Sequence, residues 1–307
     1  MNRCHNFYDR PKKNQETALD INQPEKLTEV AQIACSIAWG ASDILSSYYH
    51  GQDEKLNVKD KKDGPVTQAD LAANKHIVEN LKDKFKDEDF GYLSEETFDV
   101  KKAEPVAKDW VWIIDPLDGT RDFIDKTGEF GFHIALAYQG RPVIGIVGIP
   151  EADKLYYAIK GQGTFVQTKE DKKTTSIKVS ERKTPEELYL IVSRSHRDER
   201  FKKLIDALPF KGTKYMGGVG GKISTILEQE TDAYISLSGK SAAKDWDFAA
   251  PEIILTEAGG KFSYETGEPV YYNQGDVKKW GCIVATNGNC HEELCEKITE
   301  ILADIDK

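Results

Sequence analysis

Cysteine chemistry is scarce in this chain. Its five cysteines, Cys4, Cys35, Cys282, Cys290 and Cys295, are an odd, scattered set without a CxxC pair. That argues against a disulfide framework or a zinc site and suits a reducing cytoplasm. No stretch approaches about 18 uninterrupted apolar residues, and the opening MNRCHNFYDRPKKNQE has no apolar core of a signal peptide. No membrane segment is expected, and the chain reads as soluble and cytoplasmic. Positive charge is also short: 42 Lys and Arg against 52 Asp and Glu give a net charge of −10. This balance argues against duplex nucleic acid or an anionic membrane as the main partner. An anionic small molecule would have to be met by metal ions or by a local basic cluster. Internal repeats and low-complexity segments are absent too. What is present is an ordinary soluble composition, 39% hydrophobic and 31% charged over 307 residues, enough for about two domains with a sizeable core.

Residues 1–24 are polar and aperiodic and are expected to form a flexible arm. From Glu25 onward Leu27, Val30, Ile33, Ala34, Ile37, Ala38, Ala41, Ile44 and Leu45 recur at three- and four-residue spacing, which predicts a helix. After the charged loop GQDEKLNVKDKKDGP a second helix is expected from about Gln68 to Phe85, with Leu71, Val78, Leu81 and Phe85 on one face. The middle third is a succession of short β-type runs (FGYLSEE, VWIID, FHIALAYQG, PVIGIVGIP, KLYYAI, GTFVQT, TSIKVS), the pattern of an antiparallel sheet. Beyond about residue 183 strands and helices alternate: YLIVSRSH, DERFKKLIDAL, TKYMGG, GKISTILEQE, DAYISLSG, FAAPEIILTEAG, CIVATNG and HEELCEKITEILADI. The expected organisation is an α+β domain over 25–183 and an α/β domain over 184–307.

Carboxylates gather at the ends of these elements. WIIDPLDGTRDF carries Asp115 and Asp118 out of an apolar strand, LSEE ends a strand with Glu95 and Glu96, VTQAD opens the second helix with Asp70, and KDWDFAAPE opens a later helix with Asp247. Each has a bland reading alone. Thr67 to Asp70 has capping-box spacing, a Glu pair is usually a solvated turn, Asp247 complements a helix N-terminus, and DPLDGT fits a type I turn. The full ordered set points to a shared cleft. No His, Cys or Met accompanies it, so a shared ion would be a hard cation held by oxygen, with Mg²⁺ the natural choice. Two or more such ions serve phosphoryl transfer.

DPLDGTRDF, preceded by SEE and followed by WDFAAPEIILTEAGG, resembles the inositol monophosphatase superfamily of Mg²⁺-dependent, lithium-sensitive phosphatases, over roughly residues 27–305. The resemblance implies a layered αβαβα sandwich of α+β and α/β parts, with a metal-binding first domain, a substrate-binding second domain and the active site between them. It implies two or three Mg²⁺ ions on Glu95, Asp115, the Leu117 carbonyl, Asp118 and Asp247, with Asp70 and Thr120 orienting and deprotonating the attacking water. Gly119 lets the backbone approach a phosphate, and the N–H groups around Thr120 can face it.

Within the superfamily, VSRSH and GGVGGKIS resemble the 3'(2'),5'-bisphosphate nucleotidase branch, which takes the 3'-phosphate from adenosine 3',5'-bisphosphate and in some members acts on its sulfated form. The implied substrate contacts are Gly119, Thr120, Ser193, His196, Gly218, Lys222 and Asp247. Two positions depart from some members: Val219 stands where a Ser occurs, and Ser236 where an Arg occurs. Lys240 and Lys244 are candidates to replace that charge. The alternatives are an inositol monophosphatase or fructose-1,6-bisphosphatase/inositol polyphosphate phosphatase and, in another class, a non-catalytic divalent-cation-binding regulatory protein. The expected partner is a small phosphorylated molecule, with no nucleic acid and no membrane, and the expected assembly is a monomer or homodimer.

Overall fold

The computed structural model describes residues 19–20, 23–51, 58–61, 64–99, 102, 104–170, 173–194 and 198–307. The expected N-terminal arm falls largely outside them, although Leu19 is buried and donates its N–H to Glu88 Oε2 at 3.3 Å.

Two helices open the fold. Helix α1 (Pro24–Tyr49) starts on a proline, whose missing N–H costs nothing in the first turn, and buries Leu27, Val30, Ala34, Ile37, Ala41 and Leu45. After it, β1 (Lys59–Lys61) and β2 (Gly64–Val66) pair as a hairpin inside the stretch expected to be loop; three residues a side leave no alternation to read. Helix α2 (Gln68–Lys84) begins with the Thr67–Asp70 capping box. It buries Ala69, Ala73, Ile77 and Leu81, a strict four-residue stripe, and this corrects the expected face: Leu71, two residues from Ala69, points away and is exposed.

Seven strands follow in one sheet, in spatial order of sequence: β3 (Phe90–Ser94), β4 (Trp110–Asp118), β5 (Gly131–Tyr138), β6 (Arg141–Ile149), β7 (Lys154–Ile159), β8 (Gly163–Thr168) and β9 (Thr174–Ile177). All neighbours are antiparallel except β3 and β4, which run parallel and so end on the same side. A short helix, α3 (Thr120–Ile124), links β4 to β5.

The second sheet has the order β11-β10-β12-β14-β13, from β10 (Tyr189–Ser193), β11 (Gly212–Met216), β12 (Ala233–Leu237), β13 (Lys261–Tyr264) and β14 (Cys282–Thr286). Strand β10 is parallel to β11 and β12, whereas β14 is antiparallel to β12 and β13. Its helices are α4 (Glu199–Asp206), α5 (Val219–Leu227), α6 (Asp245–Glu257) and α7 (His291–Ile305).

Strand alternation explains the layers. In the first sheet Trp112, Ile114, Ile134, Leu136, Ile144 and Ile146 face α1 and α2, while Val111, Ile113, Ala135, Ala137 and Val147 face α5 and α6. In the second sheet Ile191, Tyr234, Ile283 and Ala285 meet the same central helices, and Leu190, Val192, Ile235 and Val284 face α4 and α7. Helix α6 is apolar nearly all round, as a helix covered on both sides must be, and buries Trp246, Phe248, Ala249, Ile253, Ile254 and Leu255. The result is the expected αβαβα sandwich.

Candidate active site

The carboxylates converge because several strand and helix ends meet. Asp115 and Asp118 lie three apart on β4 and would face opposite sides of a regular strand. The pairing with β5 shifts between them, Asp115 opposite His133 and Asp118 opposite Gly131, so β4 carries one extra residue. This bulge resets the alternation. Asp115 keeps the inward parity of Val111 and Ile113, Leu117 packs with the outer core, and Asp118 returns to the side of His133. Glu95 follows the end of β3, its N–H donating to Ile114 O at 3.2 Å, so the parallel pairing brings it to the same edge as Asp115.

Asp70 comes from the first turn of α2 and does two jobs. Its Oδ2 closes the capping box, accepting Thr67 N–H at 2.8 Å and Thr67 Oγ1 at 2.5 Å; its Oδ1 lies 3.3 Å from Thr120 Oγ1. Thr120 Oγ1 is also 3.2 Å from Leu117 O. Thr120 is aimed by Gly119, whose φ of 85° is left-handed and where a Cβ would stand 3.0 Å from Glu129 O. Asp247 arrives from α6, with Oδ2 accepting Lys244 N–H at 2.6 Å. Pro251 has no N–H to give the Asp247 carbonyl, and beside it Trp246 O takes His133 Nδ1 at 3.1 Å.

Electrostatics marks the group as one cluster. Burial and the neighbouring charge of Asp247 push Glu95 up to about 7, with Lys244 Nζ, 3.5 Å away, offsetting only part. Burial, then Glu95, Asp118 and Asp247, push Asp115 well above the carboxylate range, and burial raises Asp247. Burial raises Asp70 to about 6. Asp118 is the exception. Burial acts upward on it too, but His133 and Lys222 outweigh burial and bring it down to about 2. His133 Nε2 lies 3.2 Å from Asp118 Oδ2, a charge contact rather than a well-formed hydrogen bond. Burial works against the imidazolium, yet Asp118 holds the His133 pKa above its ordinary value.

Among the described residues, no three carboxylate, imidazole or thiol groups stand in a ready coordination arrangement. One oxygen of each of three acids accepts a backbone N–H: Leu117 N–H on Asp115 Oδ1, Gly220 N–H on Asp118 Oδ2 and Lys244 N–H on Asp247 Oδ2. The opposite oxygens, and Glu95 beside them, leave several mutually repelling buried acids that Lys244, His133 and Lys222 offset only in part. That donor set fits a hard divalent cation, which would relieve the repulsion.

The nucleotide-side residues are placed as follows. Ser193 ends β10 opposite Met216 of β11, so Ser193 and Gly218 sit at neighbouring C-terminal strand ends. A Cβ on Gly218, whose φ is 45°, would come within 2.8 Å of Asp118 Oδ2, so the turn touches the carboxylate cluster. Lys222 is buried, and Nζ donates to Gly217 O at 3.2 Å and Gly218 O at 2.6 Å, with burial lowering its pKa to about 8. His196 lies outside the described residues. Two participants have no role assigned from sequence: His133, a lone histidine in an apolar strand, and Glu129, whose carboxylate pairs with Arg194 and accepts Gly217 N–H at 2.7 Å. The position of His133 directly opposite Asp115 is the signal that finds it, and it emerges only from strand pairing.

A profile of the inositol monophosphatase family matches residues 26–303. The chain belongs to that family. It is 32% identical over 240 residues to the 3'(2'),5'-bisphosphate nucleotidase CysQ of Salmonella typhimurium, covering 78% of this chain and 92% of the relative. The inositol monophosphatase TM1415 of Thermotoga maritima shares the fold with a TM-score of 0.72 at 23% identity, over 92% of this chain and 99% of the other. An inositol monophosphatase/NADP phosphatase complexed with Mg²⁺ and phosphate superimposes with the same TM-score at 19% identity, over 89% and 95% of the two chains. No helix among the described residues is long and apolar enough to cross a membrane.

Proposed function

We propose that this family member is a 3'(2'),5'-bisphosphate nucleotidase that cleaves the 3'-phosphate of adenosine 3',5'-bisphosphate, leaving adenosine 5'-monophosphate and inorganic phosphate. The observation that carries the reading is the Asp70–Thr120 pair set against the carboxylate cluster, in a chain that matches a nucleotidase relative along most of its length. Pure cation binding has no use for that pair.

Glu95, Asp115, Asp118, Asp247 and the Leu117 carbonyl would hold two or three Mg²⁺ ions. Bound Mg²⁺ supplies positive charge to the phosphate oxygens and to the departing ribose oxygen. The protein groups orient and move the proton. Thr120 Oγ1, between Asp70 Oδ1 and Leu117 O, accepts a hydrogen bond from the attacking water and passes its proton toward Asp70. The water oxygen forms the new P–O bond as the P–O3' bond breaks; Asp70 gives up the proton to solvent, and the leaving O3' takes one from a solvent water. Gly119, Thr120, Ser193, His196, Gly218, Lys222 and Asp247 are the proposed substrate contacts, and Lys222 Nζ also braces the glycine turn through Gly217 O and Gly218 O.

The test is phosphate release from adenosine 3',5'-bisphosphate, inositol 1-phosphate, fructose 1,6-bisphosphate and NADP, in Mg²⁺ and then with added Li⁺. The bisphosphate nucleotide should be among the best substrates by kcat/KM and its turnover should fall in Li⁺. A clear preference for the inositol or fructose ester overturns the substrate, and Mg²⁺ binding with no release from any ester overturns the enzyme.

A further inference from the structure

The turn Gly217–Gly220 after β11 is held at both ends by acids, Asp118 at the end of β4 and Glu129 in the loop before β5. Gly220 N–H donates to Asp118 Oδ2 at 2.7 Å, and Gly217 N–H to Glu129 Oε2 at 2.7 Å. The second oxygen of Glu129 pairs with Arg194 Nη2, just past the end of β10. The two clasped segments are already joined to each other, since Arg194 N–H donates to Met216 O at 3.3 Å. Glu129 is itself fixed. Its N–H is taken by Thr127 Oγ1 at 3.2 Å, which bonds Asp122 Oδ1 at 3.0 Å, and its carbonyl packs against Gly119 and Gly218 so tightly that a Cβ on either would meet it within 3.4 Å. An isolated surface ion pair contributes little. A carboxylate that spends one oxygen on a guanidinium and the other on a backbone N–H makes two charge-assisted bonds from one rigid base.

We infer that Glu129 is a positioning residue: it fastens the strand ends carrying Arg194 and the Gly217 turn to the carboxylate cluster, and so sets how far the nucleotide body sits from the reacting phosphate. The substrate half of this inference rests on the nucleotidase reading; the clasp itself does not.

Two variants test it, Glu129→Ala, which removes both bonds, and Glu129→Gln, which keeps an acceptor for Gly217 but loses the charge facing Arg194. Amide exchange reads the clasp directly. Glu129→Ala should speed exchange in the 217–220 turn by about ten-fold or more while α7 stays unchanged; unchanged exchange in the turn overturns the clasp. Kinetics read the consequence. For adenosine 3',5'-bisphosphate, KM should rise about ten-fold in Glu129→Ala with kcat within about three-fold, and Glu129→Gln should fall between it and wild type. For p-nitrophenyl phosphate, which has no nucleoside to position, KM should stay within about two-fold. Equal losses on both esters would mean a merely structural role and overturn the positioning. Should wild type show no preference for the bisphosphate, the nucleotidase reading fails, and amide exchange still decides the clasp.

Discussion

At the scale of single residues, the site divides into acids that would meet metal and neighbours that hold them. Asp118 keeps its full charge because His133 and Lys222 face it, while burial and mutual repulsion push Asp115 and Glu95 upward. His133 is fully buried between Asp118 Oδ2 and Trp246 O, so it bridges the strand bearing one proposed ligand and the helix bearing another. Partners behind a metal ligand typically matter by about 10–100-fold in metal affinity. The expected outcome for His133→Ala is a half-saturating Mg²⁺ concentration raised by at least about ten-fold, with most of kcat recovered in excess Mg²⁺. A titration of initial rate against Mg²⁺ checks it, and an unchanged requirement would remove His133 from the site.

At the scale of elements, turns do the aiming, and two glycines separate what a turn needs from what a site needs. Gly161 has φ 75° with nothing within 4 Å of an added Cβ; Gly218 has φ 45° with Asp118 Oδ2 at 2.8 Å. Gly161→Ala should cost about 1 kcal/mol of backbone strain, seen as a small drop in Tm, with turnover intact. Gly218→Ala should cost at least as much stability and also depress kcat/KM by about ten-fold or more, because Asp118 must move. Equal activity in the two variants would separate the Gly218 turn from catalysis. The contrast also marks what was legible in the sequence. The period of α1, the β-runs of the first sheet and the ordered acids were readable because burial imposes a period on long elements. Strands β13, β1 and β2, of three or four residues, were too short to carry one. The bulge that turns Asp118 to the side of His133 was unreadable for a different reason: parity is set by the partner strand, and the same residues without that pairing would put the two acids on opposite faces. Asp70 reads as a cap and as a candidate catalytic group: the capping box forms through Oδ2, and Oδ1 faces Thr120, where the proposed proton acceptor would stand.

At the scale of the whole molecule, the outer layer carries a pH-sensitive group far along the chain from the carboxylates. Cys35, Cys282, Cys290 and Cys295 are buried, and burial lifts Cys35 to about 12 and Cys290 to about 11, so these thiols are poor nucleophiles in the folded state. His291, at the start of α7, is the titrating group to watch. It is buried with Ser263 Oγ at 2.8 Å and Thr286 Oγ1 at 3.0 Å, and burial, with Lys261 adding repulsion, lowers its pKa from 6.5 to about 4. The unfolded chain therefore binds a proton between pH 6.5 and 4 that the folded chain refuses. Its contribution to stability is complete above 6.5 and is lost as pH falls toward 4, with a slope of about 1.4 kcal/mol per pH unit for one proton. Glu252 opposes it: burial raises that carboxyl to about 7, so its protonation favours the fold as pH falls below that value. Total stability thus blends both signs, and the difference between wild type and His291→Gln isolates the histidine. Denaturant unfolding at several pH values from 4.5 to 7 should show that difference shrinking steadily toward the acid end, and a difference independent of pH would mean that His291 is not held neutral in the fold.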